Sequence, residues 1–345
     1  FLNYTLIFLL KRIFHVIIVV LEQAPMRPLF STALAGIALA GLISSDAFAQ
    51  TRLGPLVTPA ELSQAQAERA PLIIDIRAGQ DANGKTAFET GHIAGAVSAP
   101  YGRWRGPAEN PGDVPDDAYL TELLRSLGVE KDRPVVVVHQ GSDETDFGAA
   151  ARVYWTLKSS GVTELSILNG GVNAWTKDGL QLSTQAIAPQ ASDITVTFSD
   201  VWLATREDVS AVVDGTSNAT LIDARPEAFY NGETAHPASN RPGTLPHARL
   251  FTHSNWFSSG PAIVEASAAQ SLVAQAGLAD GQTLVSFCNT GHWAATNWFA
   301  LSELAGVENV KLYPESLVGW SNAGLPMDNV PGRLTHLWTT IKSWF

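Results

Sequence analysis

Apolar residues along this chain gather in short runs of strand length, separated by longer stretches in which they recur at helical spacing. Leu72-Ile73-Ile74-Asp75-Ile76, Val135–Val138, Thr220-Leu221-Ile222-Asp223-Ala224 and Thr283-Leu284-Val285-Ser286-Phe287 have the length and composition of buried strands. Asp117–Leu127, Ala268–Ala276 and Ala294–Leu304 read as helices between or after them. Strands that alternate with helices predict parallel α/β layers.

The pattern is written twice. Asp75-Ile76-Arg77 is echoed by Asp223-Ala224-Arg225, and the segment from Gly91 to Ala96 by the one from Gly243 to Ala248. Trp104 then answers Trp256, Trp175 answers Trp320, and Gly179-Leu180 answers Gly324-Leu325. A fixed order of matches with small gaps indicates a duplication, at a period far too long for a solenoid. The expected organisation is one domain over residues 50–184, a polar Ala/Pro-containing linker over 185–197, and a second domain over 198–330. Residues 331–345 read as a short amphipathic tail helix.

The opening 25 residues are apolar with Lys11-Arg12 in their middle, which suits translated upstream sequence better than a membrane anchor, since charge at mid-bilayer is costly. Residues 26–49 then read as a secretory signal peptide. Met26-Arg27 gives a short positive start, an apolar stretch of small residues follows, and Ala47-Phe48-Ala49 makes a small-x-small cleavage site before Gln50. The expected location is the periplasm, with no stable membrane insertion after cleavage.

The 345 residues, 46% of them hydrophobic, suffice for two ordinary domains. A net charge of −11 with no basic block argues against nucleic acid or an anionic membrane as partner. A small anionic substrate would therefore need a local positive site.

Cys288 is the only cysteine. In an oxidising compartment it has no partner for a disulfide within the chain, and a redox sensor would want a second, resolving thiol. One reading is a small buried hydrophobe; the other is chemical. Cys288 stands where the strand Thr283-Phe287 gives way to a helix, a turn that can aim backbone N–H groups and a helix N-terminus at one sulfur. Such a turn favours the thiolate, the reactive form of cysteine. In the first copy the counterpart is Gln140 if strands are aligned and Asp143 if helices are aligned. No thiol stands there, so the second copy is expected to be catalytic and the first not.

These residues resemble the rhodanese family of sulfurtransferases, in its two-domain members with an inactive N-terminal and an active C-terminal domain. The resemblance runs from about Thr58 to Leu325. It rests on Ile74-Asp75-Ile76-Arg77 with Gly91 to Ala96, on Leu168-Asn169-Gly170-Gly171 with Trp175, and on Cys288 to Ala294 with Gly319-Trp320. It implies an α/β fold of two tandem rhodanese-like domains, each a doubly wound parallel sheet flanked by helices, with the active loop at the strand C-termini.

It also implies that Cys288 takes a sulfane sulfur from thiosulfate and passes it to a thiophilic acceptor such as cyanide, with no metal and no organic cofactor. The backbone of Asn289, Thr290, Gly291, His292, Trp293 and Ala294 would cradle the sulfur. The loop departs from two patterns. A cation commonly follows two places after the cysteine in thiosulfate-preferring members, where this chain has Thr290. Mercaptopyruvate-preferring members carry Cys-Gly-x-Gly, which Asn289-Thr290-Gly291 does not match. The donor thus stays open between thiosulfate and 3-mercaptopyruvate, as does a non-turnover sulfur carrier serving a protein acceptor. Protonated His292 is one expected substitute for the missing cation; Arg103 and Arg105 are others, if the first domain faces the cleft. Arg225 is expected either to brace Asp223 or to touch substrate, and Trp293 to wall the pocket. A Cys-x5-Arg phosphatase is disfavoured because Ala294 stands where its arginine would be.

Overall fold

A computed structural model describes residues 52–332. The leader expected over 1–49 and all but the first two residues of the expected tail helix lie outside the described residues. The first copy contains β1 (Leu56–Val57), α1 (Pro59–Glu68), β2 (Leu72–Asp75), α2 (Ala87–Thr90), β3 (Ala96–Ser98), α3 (Asp117–Leu127), β4 (Val135–Val138), α4 (Glu144–Ser159), β5 (Leu165–Leu168) and α5 (Gly171–Lys177). Its strands pair only in parallel, in the order β1-β5-β4-β2-β3. The four consecutive valines of β4 are buried, as a strand covered on both faces requires. Local signals set the helix ends. Thr58 and Glu61 form a reciprocal capping box at α1, while Asp116 caps α3 and Gly128, with φ of 73°, ends it.

The second copy repeats the plan with α6 (Arg206–Val213), β6 (Thr220–Asp223), α7 (Glu227–Tyr230), β7 (Arg249–Leu250), α8 (Ala266–Ala276), β8 (Leu284–Phe287), α9 (Trp293–Phe299), β9 (Val310–Leu312) and α10 (Ser316–Asn322). Its parallel order is β7-β6-β8-β9. The place of β1 is held by a single parallel bridge from Leu203 to Leu312. Each sheet is thus a parallel α/β layer, as the alternating pattern predicts, and doubly wound, as the family resemblance implies.

Sheet register corrects one alignment. Asp75 pairs with Val138 as Asp223 pairs with Phe287. The next residue is His139 in the first copy and Cys288 in the second. The carbonyl of His139 accepts from Val172 as that of Cys288 accepts from Leu317. His139, not Gln140 or Asp143, occupies the cysteine position.

The copies join through α4 and α9. Phe147 meets Phe257 and Phe299 edge-on, and Tyr154 packs on Phe299 and Trp298. After Phe299 the helix widens into a π-helical turn, Ala300–Leu304, which presents Glu303 to Lys158 (2.7 Å) and Tyr154 (2.8 Å) across the interface. The segment read as a linker lies along α3: Arg125 donates to the carbonyl of Ile194, Thr121 accepts from the amide of Val196, and both apolar side chains are buried.

Candidate active site

β8 ends at Phe287, so Cys288 is delivered to the C-terminal edge of the sheet, where it is 1% exposed. Five residues separate β8 from α9. The turn is held from beneath by Ser316, whose hydroxyl accepts from the amides of Cys288 (3.0 Å) and Gly291 (3.2 Å) and donates to the Tyr313 carbonyl. Among the described residues, the amides of Asn289, Thr290, His292, Trp293 and Ala294 find no protein acceptor. A loop with this many open donors at a helix N-terminus is suited to an anion.

Arg225 is buried and engaged on each side. Its Nε and Nη2 bond Asp223, Nη2 also donates to the Gly243 carbonyl (2.8 Å), and Nη1 donates to Asn289 Oδ1 (3.2 Å). It braces the loop through Asn289. Trp293 stacks on His253 with ring centroids 4.8 Å apart and donates to Thr145 Oγ1, so it walls the loop toward the first domain.

From that domain, the short turn Tyr101–Trp104 and its successor Arg105 reach over the loop. Arg105 Nη2 donates to the Thr290 carbonyl (2.8 Å) and Nη1 to Tyr101 Oη (2.6 Å). Tyr101, whose pKa burial pushes up, keeps its proton and its O–H donates a hydrogen bond to His292 Nδ1 (3.0 Å). His292 Nε2 in turn donates to the Thr145 carbonyl (2.7 Å), which fixes the tautomer. Burial, helped by Arg105, lowers the pKa of His292 to about 4. The expectation of a protonated His292 in place of the missing cation is therefore corrected: burial first, and the nearby charge of Arg105 second, keep His292 neutral at neutral pH. Arg103 is exposed and held only through its backbone, its amide donating to the Pro100 carbonyl and its carbonyl accepting from Tyr119 Oη, so it is not gathered to the loop as Arg105 is.

Two contributors escaped the sequence. Ser316 lies at the position of Gly171 in the first copy, in a stretch without the glycine pair that marks the motif there. Arg152 lies in mid-helix on α4, and its Nη1 rests against Gly291, where an added Cβ would collide with it. Among the described residues no three His, Cys, Asp or Glu side chains converge on a place for a metal ion, and no helix is long and apolar enough to cross a membrane.

The model of the rhodanese-like domain matches residues 58–178 and again 205–323. The chain belongs to the rhodanese-like family. SseB of Mycobacterium tuberculosis, provisionally named a thiosulfate sulfurtransferase, is 28% identical over 285 residues, covering 79% of this chain and 96% of its own. A provisionally named thiosulfate sulfurtransferase of Mycolicibacterium smegmatis is 29% identical, with 74% and 90% covered. Among solved structures, the 3-mercaptopyruvate sulfurtransferase SseA of Escherichia coli superposes with a TM-score of 0.65 at 25% identity, covering 76% of this chain and 99% of its own. The anaerobic ergothioneine biosynthesis enzyme of Chlorobium limicola shares the fold, at a TM-score of 0.70 and 18% identity over 81% of this chain and 71% of its own.

The two rhodanese-like loops differ in what fills them. In the first, Asp146 Oδ2 accepts from the amides of Gly141 (2.6 Å) and Ser142 (3.2 Å) and from His139 Nδ1 (3.0 Å). These hydrogen bonds hold the carboxylate pKa below its usual value against the opposing cost of burial. Two amides of that loop, those of Gly141 and Ser142, are thus engaged by the chain's own carboxylate.

Proposed function

We propose that the protein is a periplasmic thiosulfate sulfurtransferase in which the second rhodanese-like domain is catalytic and the first is not. The observation that carries the reading is Cys288 at the head of a loop whose amides stand open, beside Arg105 from the other domain. In the reaction, the Cys288 thiolate attacks the outer sulfur of thiosulfate. The Cys–S bond forms as the bond to the sulfonate sulfur breaks, and sulfite leaves with the electron pair. Cyanide or another thiophile then attacks the terminal sulfur of the persulfide, forming thiocyanate and returning the thiolate. The open amides and Arg105 would hold the negative charge that persists through both steps. Sulfur transfer by the family's relatives supports the reaction class, His139 and Asp146 support a silent first copy, and the leader sequence supports export.

A second reading has a specific observation behind it, the likeness to SseA. With 3-mercaptopyruvate as donor, the C–S bond breaks instead, and the thiol proton moves to the carbon as pyruvate departs.

The test is thiocyanate formation from cyanide by the chain from Gln50 onward, with each donor supplied separately. Activity with thiosulfate that Cys288→Ser abolishes is the expected result. Activity with mercaptopyruvate alone would replace the first donor by the second. Inactivity with both, from folded protein with an intact thiol, would leave a sulfur carrier loaded by a protein partner.

A further inference from the structure

Arg152 belongs to the first domain by sequence and to the cysteine loop by position. It is 0% exposed, yet Nε and Nη1 have no acceptor. Only Nη2 is occupied, by the carbonyls of Gly112 (2.9 Å) and Asp113 (3.3 Å). The Asp113 carboxylate is turned to the amide of Val114. Among the described residues neither Arg152 nor Arg105 has a salt-bridge partner. The guanidinium also lies over the Trp155 ring, at 5.2 Å from its centroid. Burial and the like charge of Arg105 lower its pKa to about 9, which leaves it charged at neutral pH. A buried cation with two open donors and a like charge beside it is costly unless an anion completes it. At Gly291, the only side chain small enough to admit Nη1 leaves that donor edge against the cysteine loop.

We propose that Arg152 is the anion anchor of the Cys288 loop, receiving on its Nε–Nη1 edge the oxyanion group of the sulfur donor, a sulfonate or a carboxylate. The donor's identity rests on the sulfurtransferase reading; the anion site does not. The cation offsets the repulsion between an anionic donor and the thiolate, and Arg105 adds to the same field. This places in the first domain the charge that the loop lacks at Thr290.

The test compares the full chain with Arg152→Gln and Arg152→Lys. Cys288 is alkylated with iodoacetate, which is anionic, and with iodoacetamide, which is neutral, and the ratio of rates is read. Loss of one charge-assisted contact is expected to lower the ratio by about tenfold or more in Arg152→Gln, with Arg152→Lys recovering most of it. KM for the productive donor should rise by about the same factor, and by more than kcat falls. A rise for thiosulfate alone identifies the sulfonate as the anchored group, and one for mercaptopyruvate alone the carboxylate. An unchanged ratio and KM with a lowered Tm would make Arg152 a structural brace and overturn the proposal. Should Arg152→Gln not fold, Arg152→Met decides: it fills much of the same buried volume without a donor or a charge, so a ratio unchanged from that of the unaltered chain overturns the proposal. If neither donor turns over but the ratio falls, the anion site stands and the sulfurtransferase reading fails. If turnover is normal and the ratio holds, the reverse is true.

Discussion

At Ser316 the backbone adopts φ of 52°, a left-handed conformation that side chains other than Gly, Asn and Asp rarely hold, while its counterpart Gly171 has φ of 61°. The strain is retained because the hydroxyl is the acceptor for two loop amides. Ser316→Ala keeps the strain and orphans both amides, which should cost about 1–3 kcal/mol in urea unfolding. Ser316→Gly relieves about 1 kcal/mol of that strain and should be the milder change. Both variants should slow alkylation of Cys288. Equal stability of the two would mean that the φ value carries no cost here. The residue was not legible in the sequence because Tyr313-Pro314-Glu315-Ser316 lacks the Gly-Gly pair that signals a left-handed turn in the first copy. Cys288 was legible because it is unique, and Asp223-Ala224-Arg225 because it repeats.

The strands and helices followed from periodicity, since each apolar run had one side or both to bury. Their mutual contacts did not. α4 and α9 come from different copies and carry no local mark of each other, so Arg152 reads in the sequence as one polar position in an alanine-rich helix. The π-helical turn after α9, from which Glu303 meets Lys158 and Tyr154, is equally silent. Glu303→Gln removes the charge while keeping a hydrogen-bonding head, and Lys158, 26% exposed, can partly rehydrate. The expected loss is about 1–2 kcal/mol of stability, between what an exposed pair contributes and what breaking a fully buried one costs. Calorimetry should show it as a lowered Tm. A variant as stable as the parent would show that the aromatic cluster alone holds the two domains.

For the whole molecule, the Arg105–Tyr101–His292–Thr145 chain ties domain docking to acidity. His292 has its ordinary pKa of 6.5 lowered to about 4, chiefly by burial. The unfolded chain therefore binds this proton more readily than the folded one. Stability is unaffected by this group above pH ~6.5 and falls as pH drops from there toward ~4, by at most about 3 kcal/mol. Urea unfolding at pH 7 and pH 4.5 should show a smaller difference in His292→Gln than in the parent; equal differences would remove His292 as the source.

The near-complete cover over Cys288 has a further consequence, for timing. With Cys288 1% exposed and Tyr101 and Arg105 bonded to its loop, a donor should reach the sulfur only when those contacts part, so the fraction of time spent open would discount the apparent affinity of every ligand alike. On the proposed reading of an exported sulfurtransferase, the same cover would shelter a bound sulfur between loading and delivery, and would let a single thiol persist where exposed ones are consumed.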